Sequence, residues 1–161
     1  MRFLLVDRIE EVTPGTAIRG WKNVAMSEDY LTWHFPEQPI LPGMLILESF
    51  AQLAGWLEAA TSEFERWVLL DRVRSARYYQ FCVPGDRVTL ELEQVASEDP
   101  EPRVYRGESS VDGGRRATVE FEAVVVPMAD LEAREHAVRT YGALQGAEGL
   151  RERMEPKRRR P

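Results

Sequence analysis

Residues 34–55 of this 161-residue chain read HFPEQPILPGMLILESFAQLAG, and this stretch decides the fold. Pro36, Pro39 and Pro42 come first, and each fixes its own φ and pushes the preceding residue out of the α region. From about Met44 to Thr61, apolar residues then cover nearly every face of a helix. A helix that is apolar all round is buried on most sides. The stretch therefore predicts a stiff loop that leads into one central, buried helix.

The flanking segments predict the strands that would wrap this helix. Alternation of apolar and polar residues is typical of strands with one buried face, and Pro-Gly or Asp-Gly pairs mark the turns between them. The predicted strands are two within Phe3–Ala25 around the turn Thr13-Pro14-Gly15, short runs at Trp67–Leu70 and Tyr78–Val83, then Arg87–Glu93, Val104–Val111 and Thr118–Val126. This order predicts an α+β domain in which a curled antiparallel sheet wraps one long helix.

The length suits a single domain, which we place at residues 1–127. Residues 128–161 predict a C-terminal helical extension, from about Met128 to Leu144, with a thin apolar stripe at Leu131, Val138 and Tyr141. A charged tail follows and ends in Lys157–Pro161, and such like-charge runs are usually disordered and solvated.

Composition limits the partners and the compartment. The net charge of −6 disfavours nucleic-acid binding by the main body, because phosphate binding relies on basic surfaces. A single cysteine, Cys82, excludes an intramolecular disulfide, indicates a reducing compartment such as the cytoplasm, and predicts a small buried side chain. The apolar run from Pro39 to Leu57 approaches the length of a membrane span, but Glu48 and Gln52 interrupt it, so we predict no span.

Two residues stand out as candidates for acid–base chemistry. His34 lies in the proline-rich loop, whereas His136, the other histidine, lies in the polar C-terminal helix and is expected to face solvent. Glu48 follows His34 by fourteen residues and is the only charged residue between Glu37 and Glu58. Burial disfavours an ionised carboxylate, and an acid that keeps its proton near neutral pH can protonate a leaving group. Each residue alone also has a purely structural interpretation, as a satisfied histidine or a locally paired glutamate.

Gly43 and Gln52 complete the candidate set. Gly43 stands at the predicted helix start, where unpaired N–H groups could polarise a substrate carbonyl, although Pro42-Gly43 can equally serve only to begin a helix. Gln52 lies one turn beyond Glu48 on the same face. It either orients the carboxyl group of Glu48 or satisfies a buried backbone group.

The stretch His34–Gly55 resembles the signature of the 3-hydroxyacyl-[acyl-carrier-protein] dehydratases of the FabZ and FabA type, which have the hotdog fold. The family pattern is His-Phe-Pro, then Pro and Pro-Gly, then a helix that bears Glu and Ala-Gln. Lys22-Asn23-Val24 and Val83-Pro84-Gly85-Asp86 resemble its flanking segments, so the likeness spans about Phe3–Val126.

The resemblance implies a mechanism. His34 would remove a proton from C2 of a 3-hydroxyacyl thioester, Glu48 would protonate the departing C3 hydroxyl, and the amide of Gly43 would hold the thioester carbonyl. The substrate, on acyl carrier protein or coenzyme A, would also contact Trp33, Phe35, Met44 and Gln52 and place its acyl chain in an apolar tunnel beside the helix. In the family, the histidine and glutamate of one site come from different subunits. A homodimer is therefore the minimum active unit, and a hexamer built as a trimer of dimers is the larger assembly that remains possible. The resemblance implies no metal or organic cofactor.

The sequence departs from the family pattern at three positions, and two alternatives to a dehydratase stay open. Trp33 stands where Gly is usual, Glu37 where a short residue is common, and Met44 where Val is usual. Trp33 is the most consequential, because a bulky ring beside the base could narrow the site. The alternatives are a hotdog thioesterase and a catalytically idle hotdog subunit that binds acyl carrier protein. The basic tail could also dock an acidic carrier protein, although a solvated tail is the simpler interpretation.

Overall fold

The computed structural model describes residues 3–96 and 101–146. Six strands, two helices and two short 3₁₀ turns follow one another within these ranges. In chain order they are β1 (Arg8–Thr13), β2 (Ala17–Asn23), a 3₁₀ turn (Asp29–Thr32), α1 (Gly43–Thr61), β3 (Arg66–Tyr78), β4 (Arg87–Val95), β5 (Arg103–Val111), β6 (Gly114–Pro127), a second 3₁₀ turn (Met128–Asp130) and α2 (Arg134–Leu144).

The six strands form one antiparallel sheet in the order β1-β2-β4-β5-β6-β3, and α1 packs against one face of it. Phe50, Leu53 and Leu57 of α1 are fully buried, as are Tyr105 and Phe121 of the sheet. The predicted α+β order, with two strands, then one long helix and then a further run of antiparallel strands, is confirmed. β1 and β3 lie at the two edges of this sheet.

The prediction of two short strands near β3 is wrong. Residues 66–78 form one thirteen-residue strand that pairs with β6 along its whole length. The register shifts between Leu70 and Arg72 and again between Val73 and Ser75. Each shift places an extra residue in β3, which breaks the apolar–polar alternation that marks a strand in sequence. Residues 79–83, predicted as part of a strand, instead connect β3 to β4.

The prediction that α1 is apolar and buried all round holds only for its C-terminal half. Residues 53–59 are buried, whereas Met44 is 73% exposed and Glu48 is exposed in the single chain. The prediction that Glu48 is buried is therefore wrong for the single chain. The buried carboxylate of α1 is Glu58, which is 1% exposed and lies 2.8 Å from Arg66 Nε and 3.8 Å from Arg103 Nε.

The C-terminal segment is a 3₁₀ turn followed by a shorter helix than predicted. The helical structure is interrupted between Asp130 and Arg134. The apolar stripe that was predicted for one continuous helix is therefore out of register across this interruption. Leu131 and Val138 are exposed, whereas Tyr141 packs against the core as predicted, together with Ala137 and Leu144. The ring of Tyr141 contacts those of Trp56 and Phe64. His136 is exposed, as expected, and the basic tail lies outside the described residues.

No helix in the described part of the chain combines the length and the hydropathy needed to cross a bilayer. Cys82 is a buried free thiol, as predicted.

Candidate active site

His34 is held by the backbone around it. The residue follows the 3₁₀ turn Asp29–Thr32, and its N–H donates to the carbonyl of Tyr30 at 3.1 Å. Ile40 then contacts His34 twice: its N–H donates to the carbonyl of His34 at 2.9 Å, and its own carbonyl lies 3.1 Å from Nδ1 of the imidazole. The proline-rich loop therefore folds back on itself and fixes both the backbone and the ring of His34.

The contact with Ile40 determines which ring nitrogen can act as a base. A carbonyl oxygen only accepts hydrogen bonds, so Nδ1 carries the proton in this contact. In the neutral imidazole, Nε2 is then left with its lone pair. The ring of Phe35 stacks on the imidazole at a centroid distance of 4.4 Å and an interplanar angle of 23°. The arrangement gives a half-buried histidine with one nitrogen suited to remove a proton.

Gly43 begins α1, directly after the buried Pro42. The first amides of a helix have no partner within the helix and lie at its positive end. A Cβ at Gly43 would lie 2.9 Å from Cε1 of Tyr78, so any other residue here would have to displace that ring. The phenol of Tyr78 carries no charge near neutral pH, and partial burial raises its pKa further. The helix start can therefore present its N–H groups to a carbonyl oxygen without a competing charge from Tyr78.

Glu48 is oriented by Gln52. The side-chain amide of Gln52 accepts the N–H of Leu5 at 2.9 Å, and a backbone N–H can only donate, so this bond identifies the amide oxygen. The amide nitrogen donates to Oε1 of Glu48 at 2.9 Å and to the carbonyl of Phe3 at 3.0 Å. Gln52 thus does both of the things considered for it: it orients the carboxyl group and it satisfies backbone groups. A proton on Glu48 is directed to Oε2, because Oε1 is occupied as an acceptor.

The predicted site residues fall into two groups in the single chain. In one group the ring of Phe35 stacks on His34, and in the other Gln52 donates a hydrogen bond to Glu48. Among the contacts of the described residues, none links His34 to Glu48. The acid and the base thus each have their own support on a separate element.

Trp33 does not cover the base. Its side chain is 80% exposed, and the ring that stacks on His34 is Phe35. Phe35 and Met44 are also exposed. The site region of one copy therefore presents several large apolar side chains to its surroundings, which is typical of a ligand or protein contact surface.

Sequence reasoning missed the residues that support the site. Ile40 acts through its carbonyl, and Tyr78 lies in a segment that was wrongly divided into two strands. Lys22 is only 5% exposed and pairs with Glu28 at 2.7 Å and with Asp7 at 3.3 Å. Its one sequence signal was the resemblance of Lys22-Asn23-Val24 to a family segment.

A cleft of about 510 Å³ lies on the sheet face opposite α1 and contains none of the predicted site residues. Cross-strand ion pairs line it, such as Arg19 with Glu91 at 3.4 Å and Arg106 with Glu93 at 3.5 Å. Its walls are alternately acidic and basic, so it is better described as a solvated ion-pair surface than as an acyl site. Within residues 3–96 and 101–146, no group of three or more His, Cys, Asp or Glu side chains is placed to hold a metal ion.

Comparison with known proteins decides the family. The model of the FabA-like domain matches residues 1–129. The chain belongs to the FabA-like family. It is 38% identical over 138 residues to a 3-hydroxyacyl-[acyl-carrier-protein] dehydratase FabZ of Myxococcus xanthus, covering 84% of this chain and 89% of that protein. A FabZ of Syntrophotalea carbinolica is 38% identical over 127 residues, or 78% of this chain and 86% of the relative.

The solved structures place this FabA-like chain in the hotdog fold. A hot-dog-like protein from Thermanaerovibrio acidaminovorans superposes with a TM-score of 0.60 at 22% identity, over 81% of this chain and 94% of that one. The family resemblance and the hotdog fold predicted from the sequence are both confirmed.

Proposed function

We propose that this FabA-like chain dehydrates a 3-hydroxyacyl thioester, carried on acyl carrier protein, to the trans-2-enoyl thioester and water. The reaction would serve fatty-acid synthesis or a related lipid or polyketide pathway. Membership of residues 1–129 in the family and the FabZ relatives support this function. The observation that carries it is the presence in one chain of a histidine whose Nδ1 is bound to a carbonyl and a glutamate whose Oε1 is bound to an amide.

His34 acts as the base in this proposal. Its Nε2 takes a proton from C2, which is acidic because the thioester carbonyl can accept the electron pair. The negative charge that develops on the carbonyl oxygen is stabilised by the N–H of Gly43 at the start of α1. Ile40 keeps the second ring nitrogen protonated and the ring in place throughout.

Glu48 acts as the acid. The electron pair returns from the enolate to form the C2–C3 double bond while the C3–O bond breaks, and Oε2 of Glu48 gives its proton to the departing oxygen. One water leaves with the hydroxyl oxygen and the proton from Glu48. The C2 proton remains on His34, and its return to Glu48 through solvent resets both groups. No metal or organic cofactor enters these steps.

The complete site requires two copies of the chain in this proposal. Glu48 and Met44 lie on the open face of α1, and β3 is an edge strand with exposed Leu70 and Val73. Pairing two copies through these surfaces would bury apolar groups and remove water from Glu48. His34 of one copy would then meet Glu48 of the other. The homodimer is the minimum unit, and a trimer of dimers is a compatible larger assembly.

The substrate would enter past the exposed Trp33, Phe35 and Met44, with Gly43 and Gln52 near the reacting end. Trp33 replaces the glycine usual in the family, so we propose that it influences which acyl chain is accepted. We place the reaction in the cytoplasm, where a free buried cysteine stays reduced.

A turnover assay tests the function. Purified protein is incubated with a 3-hydroxyacyl group on acyl carrier protein or on coenzyme A, and enoyl thioester is followed by mass. We expect enoyl product, with His34→Ala and Glu48→Gln each lowering the rate by about 10²–10⁴-fold. His136→Ala, which replaces the other, exposed histidine, is the matched control and should keep the wild-type rate.

Other products would replace the proposal with one of its alternatives. Release of free acid identifies a thioesterase. Binding of the acyl carrier without turnover identifies an idle subunit.

A further inference from the structure

The chain before β1 is an anchored segment with polar contacts in two directions. Leu5 and Val6 are each 1% exposed, so Phe3–Asp7 is held against the core. Its backbone binds Gln52 from both sides of the amide: the N–H of Leu5 donates to the amide oxygen, and the carbonyl of Phe3 accepts from the amide nitrogen. The same nitrogen binds Glu48. The rotamer of Gln52, and through it the carboxyl of Glu48, therefore depends on this segment.

The other end of the segment reaches towards the base. Asp7 accepts the N–H of Asn23 at 2.7 Å and pairs with Lys22, whose ammonium also binds Glu28 at 2.7 Å. Lys22 is buried, so its charge is satisfied by these two carboxylates rather than by water. The ammonium group thus links the N-terminal segment to the residue that precedes the 3₁₀ turn.

The 3₁₀ turn passes this connection to His34. The backbone carbonyl of Glu28 accepts the N–H of Leu31 at 3.0 Å. The backbone carbonyl of Tyr30 accepts the N–H groups of His34 and Trp33 at 3.1 and 3.3 Å. The ring of Phe3 also lies against that of Tyr30, with centroids 6.4 Å apart. Two contacts from the segment therefore converge on the turn that supports the base.

We propose that the segment Phe3–Asp7 is a positioning element for both halves of the site, aligning Glu48 through Gln52 and His34 through Lys22 and the 3₁₀ turn. The proposal rests on the dehydratase function above. In a dimer with shared sites, the two residues supported by one segment belong to different sites. One N-terminal segment then holds half of each site. A misplacement of about 1 Å between catalytic groups costs roughly 10²-fold in rate, so these contacts should appear in kcat.

The first experiment removes the contacts of Phe3 with Gln52 and Tyr30. Deletion of residues 1–4 eliminates the carbonyl and ring of Phe3 and retains Leu5. We expect kcat to fall about 10–100-fold with KM within about twofold, and Gln52→Leu to do the same. In the Gln52→Leu background the deletion should lower kcat less than it does in the wild type. The contact of Phe3 with Gln52 is already lost there, and only its contact with Tyr30 remains to be removed. Leu4→Ala, an exposed side chain in the same segment, is the control and should keep the wild-type kcat.

The second experiment removes the contact with the 3₁₀ turn. Lys22→Met should lower kcat about 10–100-fold with KM nearly unchanged. Arg19→Met is the matched control, because Arg19 lies on the same strand and pairs with Glu10 and Glu91 on the sheet face away from α1. If Lys22→Met fails to fold, Asp7→Asn keeps an acceptor for the N–H of Asn23 and weakens only the pair with Lys22.

A signal independent of turnover separates this proposal from the dehydratase function. The chain has two histidines, so NMR of the imidazole Cε1–H groups gives two signals, one for each residue, and the His34→Ala spectrum assigns them. Lys22→Met should shift or broaden the His34 signal and leave that of His136 unchanged, whether or not the protein dehydrates the substrate. Wild-type kcat in both the deletion and Lys22→Met, or an unchanged His34 signal in Lys22→Met, would overturn the positioning role. Absence of enoyl product with wild-type protein would overturn only the dehydratase function.

Discussion

Burial gives Cys82 a measurable effect on stability. Burial raises the pKa of its thiol to about 11, above the value of about 8.5 in an unfolded chain. The folded state therefore favours the protonated thiol. This contribution to stability is fully present below about pH 8.5 and is lost as the pH rises towards 11. We expect the free energy of unfolding, measured in urea, to fall across this range.

Tyrosines whose pKa is raised by burial in the folded state titrate within this range in the unfolded chain, at about pH 10, so the comparison must be made with Cys82→Ala. The difference in free energy of unfolding between wild type and variant should shrink steadily from pH 8.5 to 11. A constant difference would mean that the thiol ionises as easily in the folded protein as in the unfolded one. Cys82 also accepts the N–H of Leu41 at its carbonyl, so the thiol lies beside the end of the proline-rich loop.

Two glutamates on one helix show what sequence can and cannot predict at the scale of single residues. The type and spacing of His34 and Glu48 identified the candidate acid and base, but the same reasoning placed the buried carboxylate at Glu48. The structure buries Glu58, because Arg66 at the start of β3 and Arg103 at the start of β5 supply counter-charges. The partners of a carboxylate depend on tertiary contacts, which the helical pattern does not contain.

The sequence pattern also could not predict how the side chains of the acid and the base are oriented. Backbone groups of Ile40, Phe3 and Leu5 determine how His34 and Gln52 are held. Every residue carries such groups, so no residue type marks the positions where they act.

At the scale of elements, regular alternation predicted most strands and failed where the ladder is irregular. β4, β5 and β6 alternate; the first two were predicted at nearly their observed bounds, and β6 begins four residues before the predicted Thr118. β3 contains two register shifts and a polar centre, so its apolar residues fall out of phase. A bulge is visible only when the partner strand is known.

The packing of α1 on β3 gives a prediction about Gly55. A Cβ at this position would lie 2.1 Å from Cζ2 of Trp67, whose ring also packs edge-on against Trp56. Gly55→Ala must displace the indole of Trp67, and such overpacking typically costs about 1–3 kcal/mol. We expect the free energy of unfolding to fall by this amount, measured in urea with tryptophan fluorescence as the signal.

Gly142 on α2 is the matched control. A Cβ there meets no atom within 4 Å, and Ala favours a helix over Gly by about 1 kcal/mol. Gly142→Ala should therefore stabilise the protein by about 0.5–1 kcal/mol. Equal effects of the two substitutions would contradict the close contact between Gly55 and Trp67.

At the scale of the whole molecule, one copy holds an acid and a base that its own contacts do not join. The open face of α1 carries Glu48, and the edge strand β3 is free to pair. The shared site that we propose makes activity a property of the dimer. Val73→Arg, which replaces an exposed apolar side chain of β3 with a charge, should disrupt the dimer and the activity together.

Mixing two inactive variants tests the shared site most directly. Chains with His34→Ala and chains with Glu48→Gln are unfolded together in equal amounts and refolded, and enoyl formation is measured. Each heterodimer then contains one site with an intact histidine from one chain and an intact glutamate from the other. Random pairing gives half heterodimers, so we predict recovery of about a quarter of the wild-type rate. A mixture no more active than its two components would contradict a site built across two subunits.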